Sequence, residues 1–189
     1  MNVQTLSQKV KMEFFRCQIC GDVYMGKTRP SNCPYCGAMG KYLVPAREWT
    51  DENETVGVLS GVSKGNLEKA LMLEVNNTPF YREASANAAT MELQGIFKGL
   101  AKVENEHATL IRKILKCDMP PPDENRERAT KDDNENLRMA HIREKFAAGF
   151  YRKAAVEASE PRVKKVFVAL SEIENDHIQL EDELLNGHG

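Results

Sequence analysis

Six residues able to bind metal recur in this chain at a fixed offset. Glu74, Glu104 and His107 return 70 residues later as Glu144, Glu174 and His177. Phe80, Tyr81 and Arg82 return as Phe150, Tyr151 and Arg152. The register extends without a gap to Asn66/Asn136, Leu67/Leu137, Ala70/Ala140, Phe97/Phe167, Leu100/Leu170 and Leu110/Leu180. Seventy residues are ten heptads, so the repeat preserves helical phase as well as identity. In each copy one glutamate is followed by a Glu-x-x-His, whose i,i+3 spacing sets both side chains on one helix face. Four carboxylates and two imidazoles are the ligand set for two metal ions held between four helices.

Helical periodicity places these groups inside. Leu93, Phe97 and Leu100 lead at spacings of four and three into Glu104 and His107, and Ile111 and Ile114 follow. Val163, Phe167 and Leu170 lead in the same way into Glu174 and His177, with Leu184 beyond. Glu74 lies in line with Leu67, Leu71, Thr78 and Tyr81, and Glu144 with Leu137, Ala140, Ala148 and Tyr151. An unpaired carboxylate in a bundle core costs several kcal/mol, so four of them require cations. Carboxylate mixed with imidazole suits iron or manganese better than calcium or structural zinc. Glu106 and Asp176, two residues beyond each Glu-x-x-His glutamate, read as solvated.

A second constellation precedes the repeat. Cys17-x-x-Cys20-Gly and Cys33-Pro-Tyr-Cys36-Gly are two knuckles separated by twelve residues. Each brings two thiolates to one ion, and the glycine permits the tight turn whose amides face sulfur. Together they make a tetrahedral four-thiolate site. Spacing alone divides iron and zinc evenly. The dinuclear site favours iron, because a centre that reacts with an oxidant needs a supply of electrons. Cys117, at a helix end, reads as an incidental free thiol.

The elements that must position these groups follow from composition and phase. Residues 1–12 read as a polar tail, residues 13–48 as the metal-stapled module and residues 49–65 as a linker. Residues 66–189 read as an all-α four-helix bundle. Its helices run over about 67–88, 91–116, 133–158 and 161–185, with Asn66 as the first N-cap and Pro161 at a first helical position. Pro79 should kink the first helix just beyond Glu74. Short links make two antiparallel hairpins. The segment from Cys117 to Lys131, with Pro120, Pro121 and Pro122, reaches up to ~50 Å when extended. That exceeds the ~38 Å of a 25-residue helix, so it reads as a crossover along the bundle.

The net charge of −2 and the lack of single-sign runs predict neither nucleic-acid nor membrane partners. No stretch approaches the ~20 apolar residues of a membrane span. No signal peptide is read at the N-terminus, and four of five cysteines in metal-type pairs fit a reducing, cytoplasmic location.

Taken together, these motifs resemble the rubrerythrin family over about residues 13–186. The resemblance implies a rubredoxin-like (zinc-ribbon type) four-thiolate iron module and a ferritin-like bundle with a diiron site, in the reverse order of the namesake proteins. It implies that Cys17, Cys20, Cys33 and Cys36 bind one iron, with zinc as the rival. It implies that Glu74, Glu104, His107, Glu144, Glu174 and His177 bind two, with manganese as the rival. Tyr81 and Tyr151 match tyrosines whose hydroxyls support the ligand carboxylates. One departure is Ala147, where the family commonly carries a further glutamate; Asn77 is its first-copy equivalent. His141, one turn before Glu144, reads as a satisfied core histidine, with a compensating ligand or proton donor as the alternative.

What the resemblance implies for function is a peroxidase that reduces hydrogen peroxide to water. Electrons would pass from the four-thiolate iron to the diiron site and come ultimately from NAD(P)H, through an external flavoprotein reductase or a rubredoxin. The linker is not expected to bring both centres together within one chain, so a head-to-tail homodimer, or a higher oligomer, is expected. Dioxygen reduction by the same architecture and iron oxidation and storage are the alternatives.

Overall fold

The computed structural model describes residues 11–187; of the tail expected over residues 1–12, residues 1–10 lie outside the described residues. Three short strands come first, β1 (Glu13–Cys17), β2 (Val23–Gly26) and β3 (Leu43–Pro45). They form an antiparallel sheet of order β2-β1-β3, with Phe15 opposite Tyr24 on one side and Pro45 on the other. Four long helices follow: α1 (Gly61–Asn87), α2 (Met91–Leu115), α3 (Asp133–Glu157) and α4 (Pro161–Leu185).

Three of the four helices begin where the sequence places them. The exception is α1, which starts at Gly61. Its N-cap is Ser60, whose hydroxyl accepts from the Ser63 amide at 3.2 Å. Asn66 is therefore no cap; it is buried within the helix and donates to Glu157 at 2.9 Å. The glycines at 61 and 65 that read as linker are overridden by a tertiary contact. Glu160, at the head of α4, accepts from the Ser60 amide and the Ser63 hydroxyl and puts a negative charge on the N-terminus of α1. The helix then runs through Pro79 without ending.

These contacts also fix the topology. The start of α1 meets the end of α3 and the start of α4, and the end of α1 meets the start of α3 through Ala89 N to Asp133 Oδ2 at 3.0 Å. Relative to α1, then, α2 and α3 run down and α4 runs up. Residues 116–132 span the bundle as expected, lying along α1: Asp123 N donates to Asn76, Arg126 and Arg128 to Glu83, and Asn87 to Thr130 O. Lys116, with φ of 55°, turns the chain out of α2. Cys117, just beyond, is exposed.

Two apolar layers fill the interior. One combines the module with half of the bundle, packing Ile19 and Leu43 with Ile111, Phe167 and Ile173. The other holds Phe80, Phe97, Leu100, Leu137 and Ala140. Between them lies a buried polar layer made of the repeated residues.

Candidate metal centre

The buried layer gathers all six repeated metal-binding side chains. Glu74 and His107 lie with Glu104 and Glu174 in one group, and Glu144 and His177 lie with the same two glutamates in another. Within each group the donor atoms are all within 4.8 Å of one another. Glu104 and Glu174 are thus shared between two positions, and each position has one further glutamate and one histidine of its own. His107 Nδ1 stands 3.6 Å from Glu74 and from Glu174, and 4.0 Å from Glu104. His177 Nδ1 stands 3.0 Å from Glu174, 3.7 Å from Glu104 and 4.0 Å from Glu144. Two donors about 2.1 Å from one ion are roughly 3 Å apart at right angles and 4.2 Å apart in line, so these separations fit common ions.

The donor set is otherwise unsatisfied. Glu74 Oε2, Glu104 Oε1, Glu144 Oε2, both Glu174 oxygens and both Nδ1 atoms are buried without a hydrogen-bond partner. Buried polar atoms are normally paired, and a convergent set of orphans has the form of a cation site. Without metal the layer must take up protons. Burial pushes Glu74 up to about 7 and Glu104 and Glu174 well above the usual carboxylate range. Burial lowers His107, whereas His177, against the same desolvation, is raised to about 9 by Glu144. Glu144 is correspondingly held down by His177 despite its burial.

Atoms facing away from the centre are tied down. Tyr151 donates to Glu74 Oε1 and Tyr81 to Glu144 Oε1, so each tyrosine serves the glutamate of the other copy. Asn77 donates to Glu104 Oε2 at 3.2 Å and is itself held by Arg143 at 3.3 Å. Ala147, its equivalent in the second copy, is buried and offers no such bond.

The cysteine knuckles form the other centre. Cys17, Cys20, Cys33 and Cys36 are buried with all four Sγ atoms within 4.8 Å. Cys17 to Cys36 and Cys20 to Cys33 are each 3.8 Å. That is far from a disulfide bond of ~2.05 Å, and it matches the roughly 3.8 Å edge of a tetrahedron with sulfurs about 2.3 Å from its ion. Four buried thiolates this close would repel one another, and a cation at their centre offsets that repulsion.

The module is docked on α2 and α4 of its own chain. His107 Nε2 bonds the carbonyl of Cys36 at 2.9 Å. One imidazole thus touches the second knuckle with one nitrogen and the carboxylate layer with the other. This corrects the expectation that one chain cannot bring its two centres together. Arg162 donates to Gln18 O and Ile19 O in the first knuckle, and Lys165 to the Gln18 side chain at 2.8 Å. Tyr42 donates to Glu172 at 2.8 Å.

Several of these residues were missed or misread in the sequence. Glu106 is half-buried, not solvated: it faces Asp22 of the module, and burial followed by that neighbour raises it to about 7. Asp176 is exposed but accepts from Asn32 of the module at 3.4 Å. His141 is partly exposed and not a satisfied core residue, since its Nδ1 has no hydrogen-bond partner. Glu181 was overlooked. It is fully buried, lies 3.1 Å from the Tyr81 hydroxyl and is raised to about 9 by burial. The repeat could have found it, because it aligns with Ile111 of the core stripe.

Among known proteins, the rubrerythrin family pattern matches residues 65–185. The chain is 32% identical over 117 residues to reverse rubrerythrin-1 of Clostridium acetobutylicum, a match covering 55% of this chain and 62% of that protein. It thus spans less than two thirds of that relative's length. Among solved structures, a hypothetical protein from Pyrococcus furiosus superposes with a TM-score of 0.58 at 21% identity, over 66% of this chain and 88% of its own. A wild-type manganese catalase from Anabaena superposes at 0.54 and 16% identity, over 71% of this chain and 77% of its own. Both likenesses concern the fold alone.

Proposed function

The chain belongs to the rubrerythrin family, with a ferritin-like bundle behind a rubredoxin-like module, and from that premise we propose that it is a diiron peroxide reductase with its own electron relay. The observation that carries this reading is the bond from His107 Nε2 to the Cys36 carbonyl, which couples the thiolate cluster to the carboxylate layer.

Iron in the thiolate site would store one electron, and two irons in the layer would supply the pair that cleaves the O–O bond. Cys17, Cys20, Cys33 and Cys36 would hold the first ion. Glu74, Glu104, Glu174 and His107 would hold one of the other two ions, and Glu144, Glu104, Glu174 and His177 the second. Tyr81, Tyr151 and Asn77 fix the carboxylates from outside, so that the ligand geometry is set before substrate arrives. The apolar layers on either side exclude bulk water. Electrons would enter at the module from a flavoprotein reductase or a rubredoxin. A head-to-tail homodimer that exchanged modules would make the same Cys36–His107 contact between subunits.

Dioxygen is the second oxidant to weigh, because Ala147 leaves the layer without the family's further carboxylate. One experiment decides between them. Anaerobic, fully reduced protein is mixed in a stopped-flow instrument with limiting hydrogen peroxide or with dissolved oxygen, and the bands of the oxidised four-thiolate iron are followed. Rapid colour with peroxide and slow colour with oxygen is the expected result. Faster colour with oxygen would move the activity to oxygen reduction, and no colour with either would end the relay.

A further inference from the structure

The two copies of the repeat differ at two positions beside the metal layer, and the difference has a chemical meaning. In the first copy these are Leu71 and Ile111, both sealed in the apolar core next to Tyr151. In the second copy they are His141 and Glu181, beside Tyr81. The first copy demonstrates that the fold is satisfied by two aliphatic side chains there. A buried carboxylate in their place costs free energy, so packing gives no reason for it.

The polar groups line up. His141 is 15% exposed at the side chain, at the α3–α4 surface, with Asp182 at 3.6 Å. Its Nδ1 faces Glu181 Oε2 at 3.9 Å, and each of these two atoms is buried without a hydrogen-bond partner. One water or a small rotation of the ring closes such a gap. The Tyr81 hydroxyl donates its one proton to Glu144 Oε1 and lies 3.1 Å from Glu181 Oε1, where a protonated Glu181 can donate to it. The groups facing Glu181 are Tyr81 from α1, Glu104 from α2, His141 and Glu144 from α3, and His177 from α4. Around Tyr151 no such chain exists among the described residues; its hydroxyl donates to Glu74, the charges near it are the layer's own Glu74, Glu174 and Glu104, and the positions that match His141 and Glu181 are apolar.

We propose that His141 and Glu181 form the outer half of a one-sided proton route, running from solvent through the Tyr81 hydroxyl to Glu144. The inference rests on the reading of the protein as a reductase of an oxygen–oxygen bond. Reducing one hydrogen peroxide to two waters consumes two electrons and two protons. The electrons come from the paired irons of that reading. The protons enter at His141 and pass to Glu181, and Tyr81 accepts one from Glu181 as it gives its own to the layer. His141 and Glu181 are positioning and proton-holding residues that touch no substrate.

The test uses metal-loaded, full-length protein. Glu181→Ile, Glu181→Gln and His141→Ala are compared with the unaltered chain for metal content and for the rate of peroxide-driven reoxidation. The glutamine variant keeps the shape of the site in case the isoleucine variant loads metal poorly. Both Glu181 variants should slow the reaction by about 100-fold or more, the scale of a lost general acid, while two bundle ions stay bound. His141→Ala should slow it likewise and recover when imidazole is added, which a packing defect would not do. A second readout needs no turnover: the His141 ring resonances of the zinc-loaded chain should move with Glu181→Gln. Full rate in the variants with metal bound, or a silent His141 spectrum, would overturn the route. If the unaltered chain reacts with neither oxidant, the functional reading fails by itself and the His141 spectrum still decides whether the pair is coupled.

Discussion

At the scale of single residues, the decisive quantity is the cost of hiding carboxylates. Glu104 shows the conflict most sharply: it is fully buried, its Oε2 is held by Asn77, and its Oε1 has no partner. Glu104→Gln keeps an oxygen for Asn77 and stands in for the protonated acid that burial imposes on the metal-free layer. The metal-free variant should gain about 1–3 kcal/mol at neutral pH, the scale of relieving an unpaired buried group, while the bundle loses at least one of its two ions. Chemical denaturation and metal analysis on the same preparation check both halves. A variant that retained both ions would deny Glu104 its shared position. The repeat exposed the six candidate ligands because each sits in helical phase with aliphatic neighbours. Glu181 hid among the acidic residues that close α4, where a carboxylate ordinarily meets water.

Among elements, the junction between module and bundle matters most. Arg162, on the first turn of α4, is buried, and its guanidinium donates to two carbonyls of the first knuckle. Burial lowers its pKa while the charges of Cys17 and Cys20 hold it up. Arg162→Met should cost about 1–3 kcal/mol by stranding those carbonyls. It should also lower the midpoint potential of an iron bound there, because removing a nearby positive charge disfavours adding an electron. For one electron ~59 mV corresponds to a tenfold change, so a shift of tens of millivolts is expected in spectroelectrochemistry, and an unchanged potential would contradict it. Helix ends were mostly legible from caps and prolines. The start of α1 was not, because Gly61 and Gly65 carry a linker composition that a distant glutamate, Glu160, overrides.

For the whole molecule, stability and metal loading should respond to pH in opposite directions. In the metal-free chain Glu74 is raised to about 7 and Glu181 to about 9, chiefly by burial, and Glu104 and Glu174 also rise, from an ordinary value of 4.5. Between those values the native state keeps protons that the unfolded chain has released. Their contribution is therefore fully present below the unfolded value and is lost as pH climbs toward 7 and then 9. His177, raised to about 9, acts in the same sense, whereas Glu144 and His107, both lowered, oppose it at lower pH. Calorimetry should find the metal-free protein melting lower at about pH 8 than at about pH 6. Metal binding needs deprotonated ligands, so the loaded protein should gain over that interval. Parallel curves for both forms would exclude these carboxylates as the ligands.

What the sequence determined by itself was local and periodic. Heptad phase made the bundle, the seventy-residue offset marked two equivalent ligand sets, and paired knuckles marked a four-sulfur site. Each of these depends on neighbours within a few turns or on a repeated pattern. Only the tertiary structure decided how the halves meet: that Tyr81 and Tyr151 cross over to the other copy's glutamate, that Glu106 turns to face Asp22, and that Cys36 touches His107. The last contact joins residues 71 positions apart. No propensity or spacing encodes it, because it arises from the seating of a rigid sulfur-held loop on the surfaces of α2 and α4.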